Sequence, residues 1–173
     1  FINTLKSCAS IGAIDEGKQI HEEIVGRGLL NKSNILLGNA LVDMYVKCRL
    51  LVKARQVLEE LPSQNVVSWC ALIAGYSQQG QGREALDCFE WMQSEGLLAD
   101  VVTFTSLLKA CSITGTIAKG KQIHDEIVTR GFLKTDMVLG NALVDMYAKC
   151  GALERAKEVL QELPIHDVVS WSS

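Results

Sequence analysis

Apolar side chains recur along this chain at the spacing of one face of an α-helix. From position 66, Trp69, Leu72, Ile73 and Tyr76 keep an i, i+3, i+4, i+7 rhythm, Gly80 interrupts it, and Ala85, Leu86, Phe89 and Met92 resume it before Gly96. The pattern predicts two helices joined by a short turn. A second pair is spelled further on, where Leu143, Met146 and Tyr147 precede Gly151, and Ala156, Val159, Leu160 and Leu163 precede Pro164. A small residue stands early in the second helix of each pair: Ala54, Ala85 and Ala156, or Gly17 and Gly120. Only a small side chain lets two helix backbones come close at such a point.

The pairs are repeats. Gly17-Lys-Gln-Ile-His-Glu-Glu-Ile-Val-Gly-Arg-Gly28 returns as Gly120-Lys-Gln-Ile-His-Asp-Glu-Ile-Val-Thr-Arg-Gly131, and Asn39-Ala-Leu-Val-Asp-Met-Tyr45 returns unchanged as Asn141-Ala-Leu-Val-Asp-Met-Tyr147. The opening Val66-Val-Ser-Trp69 recurs as Val168-Val-Ser-Trp171, with Val101-Val-Thr-Phe104 as a third version. These openings divide the chain into units 1–34, 35–65, 66–100, 101–136 and 137–167, with 168–173 beginning another. One hairpin cannot bury its apolar stripe alone, so neighbours must stack. The expected fold is all-α: a right-handed superhelical solenoid of tandem helix-turn-helix repeats, about ten helices in all, with a concave face.

Composition narrows the chemistry. The net charge of -3 argues against a uniformly basic nucleic-acid binder, so any such contact must be local. Six cysteines without a CxxC pair disfavour a zinc knuckle or a disulfide framework and read as small buried thiols. No apolar run approaches the roughly 18 residues of a membrane span, so no membrane association is expected. The chain begins inside one unit and ends inside another, which reads as a piece of a longer protein whose bare end faces invite end-to-end self-association. His21-Glu22-Glu23 and His124-Asp125-Glu126 spell the H-x-E opening of a zinc deaminase, but the P-C-x-x-C partner is absent. The two histidines are therefore expected to be solvated or interhelical, His166 incidental in a turn, and Trp69 and Trp171 core residues. The runs Glu22-Glu23 and Glu59-Glu60 suit a solvated convex face. No catalytic residue, metal or cofactor is expected.

The unit lengths, the phrase Gly-Lys-Gln-Ile-His and the phrase Asn-Ala-Leu-Val-Asp-Met-Tyr-Ala-Lys-Cys-Gly closely resemble the plant pentatricopeptide repeat family, PLS subclass, across essentially the whole chain. On that resemblance 1–34 and 101–136 are long units, 35–65 and 137–167 short units, and 66–100 a standard unit. It implies binding of single-stranded RNA, one base per repeat, in a mitochondrion or chloroplast, most often to position a cytidine for C-to-U editing or in RNA processing. It also implies that small editing-cofactor proteins dock on the long units. A protein-interaction scaffold of the helical-repeat type is the alternative.

In this family the fifth and last residues of a repeat face the base. They map here to Asn39 with Asn65, Cys70 with Asp100, Thr105 with Asp136, and Asn141 with Asp167; Ile2 with Asn34 would read nothing. The second residues, which pack on base planes, map to Leu36, Val67, Val102, Val138 and Val169. Lys47 and Lys149 stand where the family's phosphate-contacting lysine sits. A carboxylate only accepts hydrogen bonds and so favours U and G, which carry an imino proton, whereas Asn can satisfy C or A. With the family's preference of Asn for pyrimidines and Thr for purines at the fifth position, Asn39/Asn65 should read C or U, Thr105/Asp136 G and Asn141/Asp167 U. Cys70 departs from the pattern, so its unit should be permissive, leaning to U or G. The competing structural reading makes Asn39 and Asn141 helix caps and the aspartates turn residues.

Overall fold

The computed structural model describes residues 1–163 apart from 32, 63 and 135. Ten α-helices follow one another in it: α1 (Ile2–Ile11), α2 (Ile14–Gly26), α3 (Ile35–Lys47), α4 (Leu51–Glu60), α5 (Val66–Gln78), α6 (Gly82–Ser94), α7 (Val101–Thr114), α8 (Ile117–Thr129), α9 (Met137–Lys149) and α10 (Leu153–Glu162). A single 3-10 turn, Phe132–Lys134, precedes α9.

Consecutive helices pair as antiparallel hairpins, and the hairpins stack. The first helices α1, α3, α5, α7 and α9 form a continuous layer in which each packs on the next. The second helices form the other layer, and the apolar stripes of both meet between them around Trp69, Tyr45, Tyr147, Phe89 and Phe104, all fully buried. This is the all-α solenoid that the periodicity predicts. Turns between paired helices are tight because a left-handed residue stops the first helix, as at Gly12 and Gly115. At the turn where the 137–167 unit has Gly151, Arg49 takes that conformation with φ 61, at a strain of about 1 kcal/mol.

The small residues early in the second helices mark close approaches. A Cβ on Gly120 would stand 2.6 Å from the Met146 sulfur, and Gly17 meets Met44 in the same way. The tightest joint against main chain involves a residue that the periodicity did not single out: a Cβ on Gly82 would lie 2.7 Å from the Ala110 carbonyl oxygen. There α6 packs closely along α7, whereas α2 and α8 meet the first helix of the following unit sparingly.

Leu58, the counterpart of Leu160 in the 35–65 unit, is fully buried because α5 of the next unit covers α4. The six cysteines are free, with Cys8, Cys88 and Cys111 buried. Burial pushes the Cys88 and Cys111 thiols up to about 12, which makes them apolar filler rather than nucleophiles. Among the described residues no helix is long and apolar enough to cross a membrane.

Candidate nucleic-acid interface

The first-helix layer presents an unusual surface. At the second position of four successive first helices, Leu36, Val67, Val102 and Val138 stand 73%, 61%, 66% and 66% exposed, although each helix opens on an apolar pair. Four aliphatic side chains in one register on one face are an apolar row left open to solvent. Beside them lie the fifth residues, Asn39, Cys70 and Thr105 half-buried and Asn141 exposed. Asn39 and Asn141 lie inside α3 and α9, so neither is a helix cap.

The last residues of three units are side-chain caps, whereas Asn34 makes no cap bond and donates from its Nδ2 to Leu29 O (3.0 Å). Asn65 Oδ1 accepts the Ser68 N–H (3.1 Å), Asp100 Oδ1 the Thr103 N–H (2.8 Å), and Asp136 Oδ1 the Leu139 N–H (2.9 Å). Each satisfies one of the orphan donors at a helix start, and the two carboxylates also face the positive end of a helix dipole. Capping engages one atom only. Backbone N–H donates and never accepts, so Asn65 must present its oxygen to the helix and its NH₂ elsewhere. Asp100 and Asp136 keep their second carboxylate oxygen for another partner.

Three side chains link neighbouring units across this face, one of them the Ser77 hydroxyl, which donates to Ser106 O (2.8 Å). The Ser68 hydroxyl donates to Asn39 Oδ1 (2.7 Å). Thr103 Oγ1 lies 2.6 Å from Asp100 Oδ1 and 2.7 Å from Cys70 Sγ. A carboxylate oxygen can only accept, so the single hydroxyl proton goes to Asp100 and the Thr103 lone pair takes the thiol S–H. Burial raises the Cys70 thiol above its ordinary value, which keeps that S–H in place. Thr105 has no such partner and donates to Val101 O in its own helix (2.9 Å).

Two hollows open along the row. One, of about 360 Å³, is lined by Leu36 and Val67, by Asn39 and Ser68, and by Lys6 and Asp43. The other, of about 350 Å³, is lined by Thr105, Ser106, Lys109, Asp145 and Lys149 among others. Lys47 and Lys149 are on this face, and each is paired at 2.8 Å with the aspartate one turn earlier, Asp43 and Asp145. Such exposed pairs are worth at most about 1 kcal/mol and yield to a stronger anion. Lys6 and Lys109 are cations of the same hollows that sequence reasoning missed, although their shared offset with the Gly-Lys-Gln-Ile-His phrase marked them as equivalent. Asp167, Val169 and Trp171 lie outside the described residues.

The opposite layer holds the histidines. His21 Nδ1 bonds the Tyr45 hydroxyl (2.9 Å) and His124 Nδ1 the Tyr147 hydroxyl (3.0 Å), tying α2 to α3 and α8 to α9. Both rings are buried and interhelical rather than solvated, and desolvation lowers both below the ordinary histidine value. Among the described residues no group of histidine, cysteine and carboxylate side chains could hold a metal ion. Trp69 is core as expected, and Trp91 lies against it at 5.9 Å between ring centroids, with the Arg55 guanidinium 5.3 Å from the Trp91 ring centroid.

Comparison with known proteins places this architecture. The profile described as PPR repeat family matches residues 64–112, and that described as PPR repeat matches 39–66, 102–132 and 141–168. A chloroplastic pentatricopeptide repeat-containing protein of Arabidopsis thaliana is 36% identical over 169 residues, 98% of this chain and 27% of its own length. A mitochondrial one from the same plant is 38% identical over 171 residues, 99% of this chain and 16% of its own length. The chain thus spans about a quarter or less of these relatives. The crystal structure of the pentatricopeptide repeat protein PPR10 from maize superposes with a TM-score of 0.71 at 24% identity, covering 94% of this chain and 23% of that one. PPR10 in complex with an 18-nt psaJ RNA element superposes with a TM-score of 0.59 at 25% identity over 83% of this chain and 21% of that one. Repeated hairpins, matching profiles and relatives along its whole length together show that this chain belongs to the pentatricopeptide repeat family.

Proposed function

We propose that this chain is a stretch of an RNA-specificity module that binds single-stranded RNA one base per repeat. Its parent would be an organellar C-to-U editing or RNA-processing factor of the PLS subclass, with 1–34 and 101–136 as long units, 35–65 and 137–167 as short units, and 66–100 as a standard unit. The observation that carries the reading is the hollow bounded by Leu36 and Val67 with Asn39 and Ser68 beside them. An unpaired base needs two things of a protein: apolar surface against its faces and hydrogen-bonding groups at its edge. Exposed aliphatic side chains from adjacent units supply the first, and the fifth and last residues supply the second. Lys6, Lys47, Lys109 and Lys149 are the cations available to phosphates on the same face. The RNA-bound state of maize PPR10 and the chloroplastic and mitochondrial relatives support the same reading.

The test is enrichment from a randomised RNA pool, read for the wild type and for Asn141→Thr. The expected outcome is a preference opposite the 137–167 unit that moves from U toward G. An unchanged preference sinks base reading at that unit.

A second surface favours a protein partner in addition. A groove of about 670 Å³ opens on the other layer, lined by Lys18, His21, Glu22, Val25, Tyr45 and Lys53, where α2 meets the next unit sparingly. It lies between a long unit and the short unit that follows, away from the RNA face, so a small editing cofactor could dock there while RNA is bound. Substitution of Val25 by Asp should then abolish cofactor capture and leave RNA enrichment unchanged.

A further inference from the structure

The hydroxyls of Ser68 and Thr103 belong to the third residue of one unit and touch the reading residues of the unit before it. We propose that these two hydroxyls are positioning groups that fix which hydrogen-bonding atoms the preceding unit shows to RNA, making 35–65 a reader of cytosine over uracil. The inference rests on the RNA-reading function proposed above and deepens it.

At the 35–65 unit both amides are held by the same residue. Ser68 donates its N–H to Asn65 Oδ1 and its O–H to Asn39 Oδ1, so each carboxamide oxygen is engaged and each NH₂ is left to face outward. Two outward donors complement adjacent acceptors. Cytosine offers N3 and O2 side by side, whereas uracil carries a proton on N3 and would set donor against donor. A free Asn amide could turn over and accept that proton. A braced one cannot, which is how a residue that never touches the base decides between two bases of the same size.

At the 66–100 unit the brace acts on a carboxylate. Thr103 holds Asp100 Oδ1 with both its N–H and its O–H, leaving the other oxygen as the outward acceptor, and it ties up the Cys70 thiol as a donor. That unit then discriminates imino-bearing bases through Asp100, with Cys70 contributing little. The 101–136 unit has no brace: the third residue after it is Leu139, and Thr105 bonds only within its own helix. Two braced units are therefore followed by an unbraced one along the same chain.

The experiment measures the C-to-U ratio at the nucleotide opposite the 35–65 unit by enrichment from a randomised RNA pool, for the wild-type chain, Ser68→Ala, Ser68→Thr and Asn65→Asp. Loss of a mismatched buried donor pair corresponds to roughly tenfold discrimination. The expected result is a wild-type preference for C of that order, reduced at least threefold in Ser68→Ala, retained in Ser68→Thr, and reversed toward U in Asn65→Asp. If Ser68→Ala weakens binding to all four bases alike and leaves the ratio unchanged, Ser68 is structural only and the proposal is overturned. If Asn65→Asp also leaves the ratio unchanged, or the wild type shows no enrichment, the RNA-reading function itself fails.

Discussion

Asp100 is at once a helix cap and a proposed base reader, and two substitutions separate these roles. Its Oδ1 takes the Thr103 N–H at 2.8 Å and the Thr103 hydroxyl at 2.6 Å, so whatever faces the RNA is the other atom of the carboxylate. Asp100→Asn keeps an oxygen for both bonds and changes the outward atom from an acceptor to a donor. The lost charge at the start of α7 costs about 0.3–1 kcal/mol. Asp100→Ala removes the cap, worth about 1 kcal/mol, and strands the hydroxyl of buried Thr103, so its cost is about 2 kcal/mol. Urea unfolding followed by tryptophan fluorescence gives the stabilities, and RNA-pool enrichment gives the base preference. The Asn variant should stay within about 1 kcal/mol of wild type and swing from U or G toward C or A. The Ala variant should lose stability and preference together. Equal destabilisation by both, or loss of preference in the Asn variant without the swing, refutes the division of one carboxylate into a capping oxygen and a reading oxygen.

Two further outcomes follow from the packing. Gly82→Ala drives a Cβ into the Ala110 carbonyl oxygen, which main chain cannot avoid cheaply, and should cost about 2 kcal/mol. Gly120→Ala meets only the movable end of Met146, and its gain in helix propensity offsets the displacement, leaving it within about 1 kcal/mol of wild type by urea unfolding. His21 and His124 have folded values lowered by burial from 6.5, so they remain neutral in the fold while the unfolded chain takes up protons. Stability is complete above the unfolded value and falls as pH drops below about 6.5. Melting temperatures measured from about pH 7.5 to about pH 5.5 should decline, and His124→Gln should flatten that decline.

The sequence made the hairpins legible because helical periodicity and left-handed glycines are local signals. Trp69, Phe89 and Ala85 could be assigned to the core from spacing alone, and the structure buries all three. The interface was legible only through the resemblance. Capping and base reading looked like rival roles because a sequence lists residues, whereas capping takes one atom of Asp100 and of Asn65 and leaves the other for the proposed reading. The Ser68 and Thr103 bridges were not legible at all. They join residues 29 and 33 positions apart, and such pairings depend on how one hairpin seats on the next. The pairs Lys47 with Asp43 and Lys149 with Asp145, by contrast, were readable from their one-turn spacing and went unread.

The uneven seating of the second helices makes the molecule a spring with soft and stiff coils. Where α6 lies along α7 with a glycine against main chain, two hairpins are seated as one block; α2 and α8 touch their neighbours sparingly and are held to them by the His21–Tyr45 and His124–Tyr147 bonds. Stretching would therefore be resisted most at the joint 66–100/101–136 rather than evenly along the chain. A ligand strand threaded along the first-helix layer would find its most rigidly spaced footholds at that joint.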